Sequence, residues 1–293
     1  MDLQWNDPAW LAEAHAWIES ALGTAISGPI EQPHIRAWST VLRVPTDDGP
    51  VWFKSNMPEL SREAAIVAVL VRRRPDLVPE LLAADLERGW MLQADGGMRL
   101  RESGLVPGCW EEVLPLYAEL QLDLAASADE LLAAGAPDRR LAILPTLYDE
   151  LVADEPEELR ALTPRIAELC EELAALGLPE TVQHDDLHDG QIFVQDGSYR
   201  FFDWAEACVA HPFFTMTVTL QDEVEPFRDA YLEPWTHLVP RAELEAAFPS
   251  ALILGGICRA LTWGAVVDAM PEPYATDWAD AVPGRLRALL AAL

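Results

Sequence analysis

The chain has 293 residues, of which 51% are hydrophobic and 24% are charged, as is typical of a folded globular protein. Its 49 acidic and 20 basic residues give a formal net charge of −29, which argues against nucleic acid or an anionic membrane as a partner, because both require clustered basic side chains. Four separated cysteines without metal-ligand spacing, and an N-terminus without an apolar leader, predict a reducing, cytoplasmic location.

The first third of the chain is predicted to be rich in β-strands. Two strand-like runs, 37–44 and 50–55, flank the turn-rich segment 46–49 and therefore predict a hairpin. The Ala- and Leu-rich run 60–74 predicts a helix, and the short apolar run 90–94 predicts another strand.

From residue 98 onward most segments have helical composition. The change predicts an α+β protein with two lobes, a small β-rich lobe over residues 1–97 and a larger, mainly helical lobe over residues 98–293. The apolar run 251–270 is interrupted by Arg259 and Asp268, so we expect a buried core helix rather than a membrane span.

An unusual concentration of polar side chains interrupts the helical pattern between residues 181 and 204. Five of six consecutive residues carry a carboxylate or an imidazole, namely His184, Asp185, Asp186, His188 and Asp189. The hairpin signal Asp196-Gly197 brings Asp203 back beside Gln191 and this loop. Like charges repel unless something holds them, and oxygen ligands suit Mg²⁺, so one interpretation is a metal–nucleotide site. The alternative from spacing alone is a solvated acidic loop in front of a hairpin.

The same residues resemble a known family. Residues 184–191, His184-Asp185-Asp186-Leu187-His188-Asp189-Gly190-Gln191, resemble the catalytic loop His-Gly-Asp-Leu-His-x-x-Asn of aminoglycoside phosphotransferases and choline-kinase-like enzymes. Phe202-Asp203-Trp204 resembles the Asp-Phe or Asp-Trp element that follows it in those enzymes. The resemblance implies a protein-kinase-like fold in which Asp186 orients or deprotonates the substrate hydroxyl, Gln191 and Asp203 bind Mg²⁺, and His184 braces the loop.

The upstream part of the chain supports this resemblance. Lys54 is the only lysine in the sequence and ends a predicted strand, where the kinase-like fold needs an ammonium to hold the α- and β-phosphates of ATP. Glu63, on the next predicted helix, is implied as its ion-pair partner. The other implied cofactor-binding residues lie at the phosphate-covering hairpin and at the connection between the lobes, where the family binds adenine: Ser39, Thr40, Gln93 and Asp95.

The resemblance predicts an ATP- and Mg²⁺-dependent kinase that acts on a hydroxyl group of a small molecule. An amino-sugar, an aminoglycoside or another amine-bearing alcohol fits the acidic composition, with the acidic run 221–225 as a candidate ammonium-binding patch or, alternatively, a solvated helix end. Trp235, Trp263 and Trp278 are candidates for a substrate pocket or for ordinary core packing.

Two departures from the family pattern keep a second hypothesis open. Asp185 replaces the usual glycine, and Gln191 replaces asparagine and is one methylene longer. Both changes lie in the implied catalytic loop. A nucleotide-binding protein with weak or absent catalysis is therefore the alternative.

Overall fold

The computed structural model of the protein describes residues 3–293, apart from the side chains of Asp222 and Glu223. The strands of this part are Glu31–Ile35 (β1), Ser39–Thr46 (β2), Gly49–Asn56 (β3), Leu81–Asp85 (β4), Trp90–Ala94 (β5), Met98–Arg99 (β6), Thr181–Gln183 (β7), Ile192–Gln195 (β8), Ser198–Phe201 (β9) and Cys208–Ala210 (β10). The α-helices are Pro8–Leu22 (α1), Glu63–Arg73 (α2), Trp110–Leu124 (α3), Ala128–Ala133 (α4), Leu144–Leu151 (α5), Glu157–Arg160 (α6), Thr163–Ala174 (α7), Met216–Thr219 (α8), Arg228–Leu232 (α9), Arg241–Ala269 (α10), Tyr274–Asp277 (α11) and Ala281–Ala292 (α12).

A five-stranded antiparallel sheet in the order β1-β2-β3-β5-β4 forms the N-terminal part. The predicted hairpin is confirmed as β2–β3, in which Thr46 pairs with Gly49. Side chains alternate between the two faces of a strand. Phe53 of β3 is therefore buried against Ile18 of α1, and the neighbouring Lys54 faces the opposite side of the sheet.

The helix α2 follows the sheet and carries the second residue of the predicted ion pair. It begins at Glu63 rather than at residue 60, because Pro58–Leu60 form a short 3-10 turn first. Ala64, Val67 and Leu70 of α2 join the large apolar core of the helical part. The helix ends before Pro75, since the residue preceding a proline disfavours helical backbone angles.

The hairpin β8–β9 has the register that the Asp196-Gly197 signal predicts. Gln195 pairs with Ser198, and both turn residues have left-handed backbone angles, with φ of 51° and 76°. Beyond the strands, the amide N–H of Phe202 donates to the carbonyl oxygen of Gln191 at 3.0 Å. This bond places Asp203 next to Gln191, as expected.

The predicted core helix is confirmed as part of α10, which has 29 residues. By length and composition this helix is apolar enough to cross a membrane. Half of its most apolar 18-residue stretch is buried inside the fold, however, as is common in a core helix. The four cysteines are buried free thiols. The division into lobes at residues 97 and 98 stays a prediction.

Candidate active site

A cavity of about 790 Å³ lies between the N-terminal sheet and the helical part. The structure brings most of the predicted site residues to its walls: Ser39, Lys54, Glu63, Gln93, Asp186, Gln191 and Asp203. These residues come from β2, β3, α2, β5 and the segment 186–203. The volume is in the range of cavities that bind a nucleotide-sized ligand.

The ammonium of Lys54 is held between two carboxylates. Its Nζ donates to Oε1 of Glu63 at 2.9 Å and also forms an ion pair with Asp203. Glu63 is completely buried, and Nδ2 of Asn56 donates to its Oε2 at 2.7 Å. Burial lowers the pKa of Lys54, but the charges of Asp203 and Glu63 outweigh it and raise that pKa above its ordinary value. The ammonium therefore stays charged.

The two carboxylates respond differently to this burial. Burial raises the pKa of Glu63, and the opposing effect of Lys54 does not cancel the rise. Burial also acts to raise the pKa of Asp203, but the adjacent Lys54 charge lowers it below the usual range. Asp203 therefore remains an anion that faces the cavity.

The carboxylate of Asp186 lies in the same cavity and has a different partner on each oxygen. Nη2 of Arg259 donates to its Oδ1 at 2.6 Å, and Nε2 of Gln191 donates to its Oδ2 at 3.4 Å. Nε2 of His188 lies 3.6 Å from the same Oδ2. Burial acts to raise the pKa of Asp186, but the interaction with His188 and the charge of Arg259 lower it below its ordinary value.

The buried imidazole of His184 joins the catalytic-loop segment to the residue before Asp203. Its Nε2 lies 2.8 Å from the carbonyl oxygen of Phe202, which requires the proton on Nε2. The backbone N–H of His184 donates to the Tyr117 hydroxyl at 3.1 Å. Burial lowers the pKa of His184, so the ring is neutral. This geometry agrees with the bracing role that the resemblance implies.

Two of the predicted site residues lie outside the cavity lining. Thr40 does not line the cavity, because Ser39 and Thr40 are neighbours on one strand and point to opposite faces. The Thr40 hydroxyl is buried and donates to the carbonyl oxygen of His34 at 2.9 Å. Asp95 is exposed outside the cavity lining and accepts a hydrogen bond from the Gly97 backbone N–H at 2.9 Å.

Comparisons with known proteins agree with this arrangement. The profile of the phosphotransferase enzyme family (APH) matches residues 32–245. The chain belongs to this family. A search among curated proteins gave no significant match.

Solved structures of kinases superimpose over nearly the whole chain. The GDP and kanamycin complex of an aminoglycoside 2″-phosphotransferase is 16% identical, with 96% of this chain and 98% of that chain covered and a TM-score of 0.64. The choline kinase LicA of Streptococcus pneumoniae is 13% identical, with 97% and 99% covered and a TM-score of 0.67. The ethanolamine kinase of Plasmodium vivax is 14% identical, with 97% and 89% covered and a TM-score of 0.67. The fold is protein-kinase-like, and the family makes the chain a small-molecule kinase.

In this phosphotransferase, Asp186 and Asp189 of the acidic loop 184–189, and Asp203 beside it, are paired with cationic side chains of the protein itself. Arg101 Nη2 donates to Oδ1 of Asp189 at 2.9 Å, Arg259 contacts Asp186, and Lys54 contacts Asp203. Charge repulsion in the acidic loop therefore does not by itself require a metal ion.

The donor atoms nevertheless suit Mg²⁺ that arrives with phosphates. No group of three or more His, Cys, Asp or Glu side chains within residues 3–293, as far as they are described, has the arrangement of a protein-only metal site. Asp203 supplies a carboxylate, and Gln191, which donates through Nε2, keeps its Oε1 available for coordination. Two hard oxygen donors, completed by phosphate oxygens and water, are a set that Mg²⁺ accepts.

Part of the cavity lining is aromatic. Trp263 and Trp278 line the cavity with stacked rings whose centroids are 4.4 Å apart, and Trp38 meets Trp278 edge to face at 5.4 Å. Trp235 is fully buried in the core, which agrees with the alternative of ordinary core packing. Within the acidic run 221–225, the side chains of Asp222 and Glu223 lie outside the described residues.

Proposed function

We propose that the enzyme uses ATP and Mg²⁺ to phosphorylate a hydroxyl group of a small molecule. The observation that carries the proposal is the arrangement of four charged groups in one cavity. Lys54 is held by Glu63 and Asp203, and Asp186 lines the same cavity. Phosphoryl transfer needs these groups, because it depends mainly on positioning and on neutralising phosphate charge.

Each residue of the cavity has a chemical task in this proposal. Lys54, fixed by Glu63, donates to the α- and β-phosphate oxygens. Asp186 accepts the proton of the acceptor hydroxyl as the acceptor oxygen bonds to the γ-phosphorus, and the bond between that phosphorus and the β–γ bridging oxygen breaks to release ADP. Asp203 and Gln191 hold Mg²⁺, which when bound neutralises charge on the β- and γ-phosphates.

The donor and the acceptor can be tested together. Calorimetry with Mg·ATP and Mg·GTP measures donor binding, and ADP or GDP release is followed with a panel of aminoglycosides, amino-sugars, amine-bearing alcohols and neutral sugars. We expect micromolar to millimolar binding of Mg·ATP and acceptor-dependent ADP release. A protein that binds neither nucleotide would contradict the proposal.

The second candidate is a nucleotide-binding protein without transferase activity. Gln191 in place of the family's asparagine favours it, since the longer side chain shifts the amide oxygen. Binding of Mg·ATP with neither hydrolysis nor transfer to any member of the panel would support this candidate.

A further inference from the structure

Arg259 is a nearly buried cation surrounded by three carboxylates. Its side chain comes from the middle of α10 and is 6% exposed. Nη2 donates to Oδ1 of Asp186 at 2.6 Å, while Nη1 forms an ion pair with Glu206 and lies 4.0 Å from Oδ2 of Asp185. Trp263, one turn further along α10, lies with its ring centroid 5.5 Å from the guanidinium carbon. The guanidinium is thus fixed from several sides.

Asp185 anchors this arrangement at the position where the resembled loop has glycine. Its backbone is left-handed, with φ of 65°, a conformation that glycine adopts without strain and other residues rarely adopt. The carboxylate is buried and accepts a hydrogen bond at 2.7 Å from the hydroxyl of Thr262, three residues after Arg259 on α10. The two α10 residues therefore hold adjacent carboxylates of the catalytic loop.

The two oxygens of Asp186 have different surroundings because of this contact. Oδ1 accepts the short hydrogen bond from Arg259, whereas Oδ2, among the described residues, has only the longer contacts to Nε2 of Gln191 at 3.4 Å and to Nε2 of His188 at 3.6 Å. Rotation of the Asp186 carboxylate would break its short bond to a guanidinium that also forms ion pairs with Glu206 and Asp185. Oδ2 is the oxygen left to meet an acceptor hydroxyl.

We propose that Arg259 is a positioning residue that fixes the orientation of the Asp186 carboxylate, with Asp185 and Glu206 holding its guanidinium. The inference rests on the proposed function, because it concerns the residue that receives the acceptor's proton. The planar guanidinium of arginine can contact several carboxylates at once through its separate N–H groups. A lysine ammonium at the same place would be one compact charge on a flexible side chain. Charge alone is therefore insufficient for this role.

The substitution Arg259→Lys separates positioning from charge. Its matched control is Arg287→Lys, which changes an exposed arginine of α12 that is paired with Asp280 at 2.7 Å outside the cavity. We expect Arg259→Lys to lower kcat about 100-fold, as small displacements of a reacting group do, with the Kd of Mg·ATP and the KM for ATP within about twofold of wild type. Arg287→Lys should leave all of these values unchanged.

A second variant covers the case in which Arg259→Lys does not fold. Asp185→Asn retains an acceptor for Thr262 but removes the charge that faces Arg259, and we expect kcat to fall about tenfold with unchanged Mg·ATP affinity. A crystal structure of either folded variant should show the Asp186 carboxylate rotated from its wild-type orientation.

The outcomes distinguish this inference from the proposed function. A wild-type protein that transfers no phosphoryl group would contradict the proposed function. An active wild type together with Arg259→Lys and Asp185→Asn variants whose kcat stays within about twofold would overturn the positioning role alone. A loss confined to nucleotide affinity would also overturn it, since Arg259 contacts no residue assigned to the triphosphate.

Discussion

Replacing Lys54 by methionine should destabilise the fold through the carboxylate that it leaves behind. Met retains most of the aliphatic stem but removes the ammonium, which lies 2.9 Å from Oε1 and 2.7 Å from Oε2 of Glu63. Glu63 has no exposed surface while Lys54 covers it, and of the described residues only Asn56 would still donate to it. Asp203 has a side chain that is 37% exposed and can be solvated.

The size of the effect follows from this burial. Removing one partner of a buried ion pair costs about 3–5 kcal/mol, and we expect about 3 kcal/mol because Asn56 and protonation of Glu63 relieve part of the penalty. At about 2–4 °C per kcal/mol for a large domain, Tm should fall by about 6–12 °C. Without the ammonium, the pKa of Glu63 rises further, so its folded state gains protons. The destabilisation should therefore be larger at pH 8 than at pH 5.

A double-mutant cycle measures this interaction directly. Urea unfolding of Lys54→Met, Glu63→Gln and the double variant should give a coupling free energy of at least about 2 kcal/mol. The exposed pair Arg43–Glu31, with side chains 39% and 60% exposed, is the control and should give less than about 1 kcal/mol. A Lys54–Glu63 coupling no larger than the control, or a deficit independent of pH, would refute the reasoning.

Three further predictions concern the metal donor, acid stability and packing. Asp203→Asn should weaken Mg·ATP binding at least about tenfold by calorimetry, and unchanged affinity would count against its role. Burial lowers the pKa of His211 to about 3, so the unfolded state binds its proton first as pH falls. Stability should then drop by about 2 kcal/mol between pH 7 and 5, and His211→Gln should flatten that slope in urea unfolding. Gly255→Ala should cost about 1–3 kcal/mol, because the new Cβ would lie 2.5 Å from the Phe214 carbonyl oxygen, whereas Gly256→Ala meets no atom within 4 Å and should be neutral or stabilising in the same unfolding assay.

The parts of the site that local sequence determines were predictable. Asp196-Gly197 sets the hairpin register, because few pairs of neighbouring residues can both adopt left-handed backbone angles. This register in turn places Asp203 beside Gln191. Lys54 was also predictable, because it is the only lysine in the chain and no other side chain supplies a compact ammonium.

Two strands of the five-stranded sheet were missed because their local signals are weak or misleading. The strand β1 contains Pro33 and pairs with one neighbour only, as is usual for an edge strand with a proline. The strand β4, Leu81–Asp85, consists mainly of leucine and alanine, which favour helix, and it is a strand because it pairs with β5.

The role of Arg259 required the folded structure. It lies 73 residues from Asp186 in the sequence, so no local pattern joins the two. The sequence shows a charged residue within the apolar helical run 251–270. A charge in such a run needs a partner when it is buried, but the sequence does not identify that partner. The orientation of Asp95 away from the cavity has a local cause, because a short carboxylate near glycine often accepts a hydrogen bond from the neighbouring backbone.

A single-turnover measurement on Asp186→Asn tests the central claim most directly. Enzyme is mixed with γ-labelled Mg·ATP and an acceptor identified by the panel, and transfer of label is timed beside a calorimetric Kd for Mg·ATP. Since general-base and positioning contributions together exceed about 10³-fold, we predict at least that loss in the transfer rate with Kd within about twofold of wild type. Transfer at close to the wild-type rate would contradict the assignment of this cavity as a phosphotransfer site centred on Asp186.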